Sequence, residues 1–520
     1  MSAPAHAPRA ATAGPQRVVV LLLDSLCRHH LGCYGGAFAT PNLDRLAARS
    51  LRFERHTVGS LPCMPARHDL LVGALDFPWR PWGSIELWET PLTASLRRTG
   101  RTAHGHRSGG TTTMLVTDHP HLFETGGENY HCAFTAWDYQ RGHESDPWRT
   151  RPDPSWLGAP DFGRGWMPYD DSRGHFRDEA DFPGPRTMAA AARWLEHDAP
   201  HHERFFLFVD EFDPHEPFDT PEPYASLYDP DWEGAHLIWP PYGVGVVANG
   251  ILDARQARQV RACYGAKLTM IDAWLGRVLD ALDRAALWDS TAVFVTTDHG
   301  HYLGEKDTWG KPASPIYEPL GHIPLFVSWP GATPRSVDAL TTAVDLHATW
   351  LDLFGATAPH RTHGRSLLPL LRGEATSVRD WALFGIWGRE VHVTDGRRKY
   401  ARAPVAKNEP LSMWSNRWST MPVHRIPQLA LPKPDHRATL DRMPGSTVPV
   451  IRQPFRAGDR LPFWAYGAFR GHQLHDLAND PGEDENLAGT PLEKEMAELL
   501  RSALVAIEAP DDQLARLGLA

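Results

Sequence analysis

Three uninterrupted apolar runs stand out along the chain, and each is followed directly by a polar side chain. They cover residues 18–23, 205–209 and 292–295. Runs of this kind predict strands that are buried on both faces of a parallel sheet. A fourth strand is predicted over residues 323–329, and a further one over residues 51–57.

Stretches with helical spacing lie between the predicted strands. The helix over residues 40–47 has Thr40 as its N-cap and Pro41 in its first turn. The alternation of strands and helices predicts an α/β fold in which helices flank a central, mostly parallel sheet. The other predicted helices cover residues 67–73, 187–197, 253–285 and 344–355.

The pattern changes near residue 380. Short strands over 382–386, 391–394 and 398–401, separated by glycine-containing turns, predict antiparallel pairing, and a terminal helix is predicted over 492–509. We therefore expect a leader that is disordered (1–16), a main domain (17–380) and a smaller C-terminal α+β subdomain with an antiparallel sheet (381–520). Residues 137–185 are rich in Trp, Pro and Asp and are expected to form a long surface excursion.

Composition narrows the functional classes. The chain has 520 residues, 42% hydrophobic, with 53 basic and 63 acidic residues and a net charge of -10. This balance is typical of a soluble globular protein and predicts neither a nucleic-acid partner nor a membrane partner. The apolar run 18–23 is too short to span a bilayer, and without a signal-like N-terminus we expect a cytoplasmic protein. The oligomeric state stays open, a homo-oligomer included.

Metal-ligand side chains follow two of the predicted strands. Asp24 ends the first strand, and Asp298-His299-Gly300 follows a later one. Ligands collect at the carboxyl ends of parallel strands, so these residues are candidates for a metal site. A carboxylate such as Asp24 that only caps a turn or helix is an equally ordinary interpretation. Lys311, thirteen residues after Asp298, is either a site residue or a solvated surface lysine.

Cys63 is the candidate nucleophile. The five cysteines (Cys27, Cys33, Cys63, Cys132 and Cys263) contain no CxxC pair, which argues against a disulfide framework or a zinc site. Cys63 precedes a predicted helix, and Arg67 follows one turn later. Free N–H groups at a helix start are expected to lower the pKa of a thiol. A buried structural cysteine is the alternative.

Several segments, taken in order, resemble the sulfatases of the alkaline phosphatase superfamily, in particular its phosphonate monoester hydrolase-like branch. Residues 63–67 resemble the CxPxR signature, and residues 297–300 resemble the second metal motif. The matching segments are Asp24 at the end of the first strand, 63–67, 213–217, 297–300, Lys311, 317–318 and 474–487.

This resemblance implies an alkaline phosphatase-like fold for the main domain, which would be the catalytic domain, and a metal-dependent hydrolase of sulfuric esters. It further implies that a formylglycine-generating enzyme converts Cys63 to formylglycine, whose hydrate attacks a small anionic ester. Asp24, Cys63, Asp298 and His299 would bind one divalent metal ion. Arg67 and Lys311 would hold the nucleophile and anionic oxygens, and His215 would donate a proton to the leaving group.

The chain also departs from the family pattern. Ser25 follows Asp24 where many sulfatases have a second Asp, and His299 stands where many have Asn. Compared with the usual family ligands, this site has one carboxylate fewer and one imidazole more. This change shifts the expected metal from calcium toward manganese. Thr117 and His119 take the place of a missing family segment and are expected to contact the substrate.

Three alternatives remain at this stage. In the first, the same site hydrolyses phosphonate monoesters or phosphodiesters in place of sulfate esters. A phosphotransferase or phosphodiesterase could use unmodified Cys63 or a metal-bound water. A non-catalytic member of the fold would keep the site for binding alone. Sequence does not decide between them, nor does it give the natural substrate.

Overall fold

The computed structural model describes residues 14–99, 110–151, 167–311, 315–405, 407–418 and 433–520. The expected leader, except for residues 14–16, lies outside these ranges. The strands are β1 (Arg17–Leu23), β2 (Leu51–Thr57), β3 (Thr112–Thr117), β4 (Ala136–Tyr139), β5 (Phe205–Glu211), β6 (Gly243–Val244), β7 (Thr291–Thr296), β8 (Tyr302–Leu303), β9 (Thr308–Gly310), β10 (Leu325–Ser328), β11 (Arg335–Thr342), β12 (Ala382–Gly385), β13 (Val391–Thr394), β14 (Arg398–Arg402), β15 (Leu411–Ser415), β16 (Thr439–Asp441), β17 (Val450–Phe455) and β18 (Gln473–Asp476).

Eleven α-helices lie in the described ranges. They are α1 (Pro41–Ala47), α2 (Cys63–Val72), α3 (Leu92–Arg98), α4 (Met167–Arg173), α5 (Pro183–His197), α6 (Ala254–Arg284), α7 (Glu318–Gly321), α8 (Val344–Phe354), α9 (Leu368–Leu371), α10 (Pro491–Ala506) and α11 (Asp511–Arg516). The predicted helices over 40–47, 187–197, 253–285 and 344–355 are confirmed to within a few residues.

An eight-stranded sheet forms the centre of the molecule, in the order β11-β2-β10-β7-β1-β5-β3-β4. Seven of its strands pair in parallel with at least one neighbour, and β10 alone runs antiparallel to both of its neighbours, β7 and β2. The predicted mostly parallel sheet is therefore confirmed.

Alternate residues of β1 face two different hydrophobic cores. Val19, Leu21 and Leu23 pack with residues of α5 and α6 on one face. Val18, Val20 and Leu22 pack with residues of α2, α3 and α8 on the other. Because side chains alternate across a strand, an apolar run can satisfy both layers at once. This is why the predicted buried strand has no polar position before Asp24.

The C-terminal part has its own antiparallel sheet, β12-β13-β14-β18, which packs against α10. A three-stranded sheet, β15-β17-β16, lies within residues 403–460. All strands of the large sheet come from residues before 343, but the boundary at residue 380 stays a prediction.

The terminal helix predicted over 492–509 is confirmed as α10, which ends at Ala506, and a second short helix, α11, follows after Pro510. One expectation needs correction. The segment 137–185 is not simply a surface excursion. Its strand β4 extends the large sheet, and Tyr169, Phe176 and Phe182 are buried in a small aromatic core.

Candidate active site

Four neighbouring strands, β7, β1, β5 and β3, place polar side chains along one edge of the large sheet. Asp298 and His299 follow β7, Asp24 follows β1, Asp210 is the penultimate residue of β5, and Thr117 ends β3. The four strands run in parallel, so their carboxyl ends meet at this edge. The helix α2 brings Cys63 to the same place.

Four of these side chains form a cluster of metal-ligand type. The donor atoms of Asp24, Cys63, Asp298 and His299 all lie within 4.8 Å of one another, and all four residues are buried. His299 Nε2 is 3.2 Å from Cys63 Sγ. His299 Nδ1 is 2.8 Å from the carbonyl oxygen of Gly300, to which it donates, so the lone pair lies on Nε2 and points into the cluster. The predicted metal ligands are thus brought together.

Arg67 lies at the centre of the surrounding charges. Its Nε and Nη2 donate to the two carboxylate oxygens of Asp210 at 2.9 and 2.6 Å. Its Nη1 is 2.7 Å from Asp298 Oδ2, and its Nη2 is 3.0 Å from Asp24 Oδ2. Nη1 also donates to the carbonyl oxygen of Cys63 at 3.1 Å, one helical turn earlier. Arg67 therefore fixes three carboxylates relative to the start of α2.

The charge balance of the cluster suits a divalent cation. The carboxylates of Asp24, Asp210 and Asp298 face the cations of Arg67 and Lys311, which leaves an excess of negative charge in a buried region. Two carboxylates and one imidazole are ligands that manganese accepts, and oxygen ligands are those that calcium prefers. The residues present therefore fit the predicted metal ion.

The ionisation of the ligands agrees with this fit. Burial raises the pKa of Asp24, but the charge of Arg67 and of other neighbouring groups lowers it by more, so that its pKa lies well below the ordinary value. Burial lowers the pKa of His299, so the imidazole is neutral near pH 7. Metal binding needs a carboxylate in the first case and a neutral imidazole in the second.

The expected low pKa of the Cys63 thiol is wrong. Burial, followed by the negative charge of Asp24, raises the pKa of Cys63 well above the ordinary value. Cys63 is the first residue of α2, as its sequence position predicts, and is 3% exposed. The loss of hydration and the nearby carboxylates outweigh the helix start and the two cations.

Lys311 and His215 form a second pair beside the cluster. Lys311 Nζ lies 2.6 Å from His215 Nε2, and His215 Nδ1 lies 2.7 Å from the carbonyl oxygen of Glu216. Nδ1 thus carries the ring proton, and Nε2 accepts from the ammonium group. Burial lowers the pKa of His215 to about 3. Burial also lowers the pKa of Lys311, but the surrounding negative charges, Glu216 first, raise it by more.

Thr117 and His119 are both buried at the site. Thr117 Oγ1 donates to the carbonyl oxygen of Asp210 at 2.7 Å and accepts from the backbone N–H of His119 at 3.0 Å. This hydroxyl is engaged in fixing the turn after β3. His119 Nε2 lies 3.5 Å from Asp24 Oδ2, and neither ring nitrogen has a hydrogen-bond partner among the described residues. Their contact with substrate stays a prediction.

Sequence reasoning assigned no role to three residues of the site. Ser25, with a φ of 62°, donates from Oγ to Asp24 and from its backbone N–H to Asp298, and Lys311 donates to its hydroxyl. Asp210 carried the same signal as Asp24, a carboxylate at the end of an apolar run. Glu216 carried no such signal, since only the fold brings its carboxylate to 3.7 Å from Lys311 Nζ.

The sheet edge thus carries a buried metal-ligand cluster beside a cysteine and an arginine of α2. This is the arrangement that the resemblance to hydrolases of the alkaline phosphatase superfamily implies. The family profile described as Sulfatase matches residues 16–356 of this chain. The chain therefore belongs to the sulfatase family, whose members hydrolyse sulfate esters, and the resemblance drawn from the motifs is confirmed.

Relatives and solved structures agree with this assignment. The multifunctional alkaline phosphatase superfamily protein PehA of Trinickia caryophylli is 28% identical over 406 residues, which cover 66% of this chain and 73% of that protein. The choline-sulfatase of Rhizobium meliloti (strain 1021) is 25% identical, over 75% of this chain and 78% of that protein. The structure of the phosphonate monoester hydrolase of Agrobacterium radiobacter has a TM-score of 0.61 at 20% identity, covering 95% of both chains. At this level of identity, the structural similarity shows a shared fold only.

One further finding concerns membranes. Within the described ranges, none of the helices has both the length and the apolar character needed to cross a bilayer.

Proposed function

We propose that this protein is a metal-dependent sulfuric ester hydrolase whose nucleophile is a formylglycine derived from Cys63. The observation that carries the proposal is the place of Cys63 Sγ inside the cluster formed by Asp24, Asp298 and His299. An atom at this position of residue 63 would lie beside both a bound cation and an anionic ester.

The state of the Cys63 thiol supports a modified nucleophile. A thiol attacks as its thiolate, and the raised pKa of Cys63 keeps it protonated near pH 7. Formylglycine formation replaces the sulfur by an aldehyde, whose hydrate offers a hydroxyl group for attack. Because Cys63 is 3% exposed, a formylglycine-generating enzyme would have to act before the chain folds around it.

A divalent ion is the second requirement. Asp24, Asp298, His299 and the side chain of residue 63 would hold it, and when bound it would act as a Lewis acid toward the oxygens of the ester. Ser25 supplies a hydroxyl where a further carboxylate would favour calcium, and His299 supplies an imidazole. Both features favour manganese over calcium.

The remaining side chains would hold the metal ligands in position, attract the ester and supply a proton to the leaving group. Arg67 holds Asp24, Asp210 and Asp298 in fixed relative positions, so that the ligands need no rearrangement on binding. The ammonium group of Lys311 would attract the anionic ester. The Lys311–His215 pair would supply the proton that the leaving oxygen needs, with Lys311 as the group that carries it at neutral pH.

Hydrolysis of phosphonate monoesters or phosphodiesters at the same site is a second candidate function. Ser25 and His299 make the cluster less carboxylate-rich than that expected of many sulfatases. The relative from Trinickia caryophylli is named multifunctional, and the solved neighbours include phosphonate monoester hydrolases. The sulfate, phosphonate and phosphodiester groups are all tetrahedral anions, which the same cations attract.

Two measurements on one sample test the proposal. Mass spectrometry of the tryptic peptide 56–67 determines the state of residue 63, and turnover is measured on a sulfate monoester, a phosphonate monoester and a phosphodiester alongside metal analysis. We expect formylglycine, about one active-site metal ion per chain and the highest kcat/KM for the sulfate ester. Full activity with residue 63 entirely as a thiol would overturn the mechanism, and the highest kcat/KM for a phosphorus ester would favour the second candidate.

Matched cysteine variants complete the test. Cys63→Ala should abolish turnover, whereas Cys132→Ala, at an exposed cysteine, should leave it unchanged. Absence of turnover on every ester, in a sample with formylglycine and metal present, would favour a non-catalytic binding protein.

A further inference from the structure

A second group of metal-ligand side chains lies outside the proposed active site. His29 and His30 belong to a 3₁₀ turn that follows β1, and Glu305 belongs to the turn between β8 and β9. One ligand atom from each of the three lies within 4.8 Å of the other two. The group shares no residue with the cluster around Cys63.

The carboxylate of Glu305 is oriented toward the two imidazoles. Its Oε2 accepts from the backbone N–H of Leu303 at 2.7 Å. Its Oε1 is thereby turned to His29 Nε2, at 3.0 Å, and to His30 Nε2, at 3.9 Å. Both histidines thus present the same ring nitrogen to one carboxylate oxygen.

His30 is held in place without a partner for that nitrogen. Its ring packs against Phe38 and Tyr264, with centroid separations of 5.1 and 5.7 Å. Its Nε2 is buried and has no hydrogen-bond partner among the described residues. A buried polar atom without a partner is costly, and here it points at a carboxylate oxygen with room for an ion between them.

Neighbouring cations are engaged with other groups. Arg28 pairs with Glu54 at 2.9 Å, and Lys306 pairs with Asp484 at 2.8 Å. Neither contact involves Glu305, so the negative charge of Glu305 remains directed at the histidines. The site opens into a cleft of about 840 Å³ whose lining includes His29 and Glu305, which gives an ion a path from solvent.

We propose that His29, His30 and Glu305 form a second metal site, which binds a divalent transition-metal ion of the zinc type. Two imidazole nitrogens and one carboxylate oxygen form a ligand set that zinc accepts, with water completing the coordination. Calcium and magnesium prefer all-oxygen ligands, so this site differs in selectivity from one rich in carboxylates.

The ion would join two segments that are far apart in sequence. It would fasten the turn after β1 to the β8–β9 turn. The hydroxyl of Tyr264, on which His30 packs, donates to the carbonyl oxygen of Ser25 and accepts from the N–H of Cys27. The second site would therefore stabilise the segment that leads from Asp24, without taking part in hydrolysis.

Zinc stoichiometry and location test this proposal. The full chain is equilibrated with micromolar zinc, separated from free zinc by gel filtration and analysed for metal, and zinc-soaked crystals are measured at the zinc absorption edge. We expect wild type to retain one zinc ion more than Glu305→Gln or His29→Gln, and an anomalous peak between His29, His30 and Glu305. Equal stoichiometry in all three proteins, or the absence of that peak, would overturn the proposal.

A comparable histidine–glutamate pair on the same cleft provides the control. His322 Nδ1 lies 2.9 Å from Glu318 Oε2, and the two belong to none of the metal-ligand groups found in the described residues. His322→Gln should retain as much zinc as wild type. Zinc should also raise the Tm of wild type and of His322→Gln more than that of Glu305→Gln. A zinc-induced rise in Tm that is equal in all three would count against the site. Circular dichroism checks that each variant is folded.

Discussion

The side-chain nitrogen of Lys311 lies 2.6 Å from Nε2 of His215. The proton in this contact belongs to Lys311, because burial lowers the pKa of His215 to about 3 and Nδ1 donates to the carbonyl oxygen of Glu216. His215 was predicted from the sequence as the proton donor. The structure places it as one half of a pair, so that removing either member should disturb protonation of the leaving group.

His215→Ala should slow hydrolysis most for esters with poor leaving groups. General-acid catalysis typically contributes about 10²–10⁴-fold, and an alkyl ester needs it more than a nitrophenyl ester, whose leaving group departs without a proton. The measurement is kcat for both substrate types in wild type and variant. Equal losses on the two types would contradict the role of the pair in proton donation.

Asp298→Ala should remove the active-site metal and the activity together. The carboxylate of Asp298 lies in the ligand cluster and also pairs with Arg67 at 2.7 Å, so its loss leaves a buried guanidinium short of one partner. Metal analysis and turnover are measured on the same preparation. Retention of a full complement of manganese or calcium at this site would show that Asp298 is not a ligand.

Asp210→Asn should weaken metal binding although Asp210 is not among the clustered ligands. Asp210 holds both Nε and Nη2 of Arg67, and residues that orient metal ligands typically contribute about 10–100-fold to metal affinity or activity. The measurement is the Kd for manganese. Asp272→Asn is the control, because Asp272 accepts backbone N–H groups of Asn42 and Leu43 and should affect stability alone.

His68 should make stability depend on pH. Burial lowers the pKa of His68, but the charges of Asp76 and Glu89 raise it by more, to about 9. Protonated His68 therefore stabilises the folded state. This contribution is fully present below pH 6.5, near the pKa of the unfolded chain, and is lost as the pH rises through 9. At one pKa unit per 1.36 kcal/mol, the contribution is on the order of 3 kcal/mol.

The free energy of unfolding of wild type and His68→Gln, measured from pH 6 to about pH 10, tests this expectation. The difference between the two proteins should be largest at the acidic end and should shrink above pH 6.5. A difference that stays constant, or that grows with pH, would mean that His68 is not charged in the folded state.

Much of the site could be predicted from residues that are close in sequence. Asp24 and the pair Asp298-His299 follow apolar runs, and the carboxyl ends of parallel strands meet at one edge of a sheet. Cys63 and Arg67 are one helical turn apart, so they lie on the same face of α2, and the guanidinium contacts the carbonyl oxygen of Cys63. The family motifs then connected these local signals.

Other features depended on the fold. The low thiol pKa that the helix start predicts for Cys63 is wrong, because burial and the carboxylates of Asp24 and Asp298 raise this pKa. Asp210 became the main partner of Arg67 only through the pairing of β5 with β1.

The sequence by itself determined which segments are buried strands, which polar residues end them and which cysteine begins a helix, because these features depend on the spacing of a few neighbouring residues. Only the tertiary structure decided that Lys311 meets His215 and that Glu305 meets His29. Those pairs are separated by 96 and 276 residues. They form because the strand order β7-β1-β5-β3 differs from the order along the chain, and local spacing carries no information about that order.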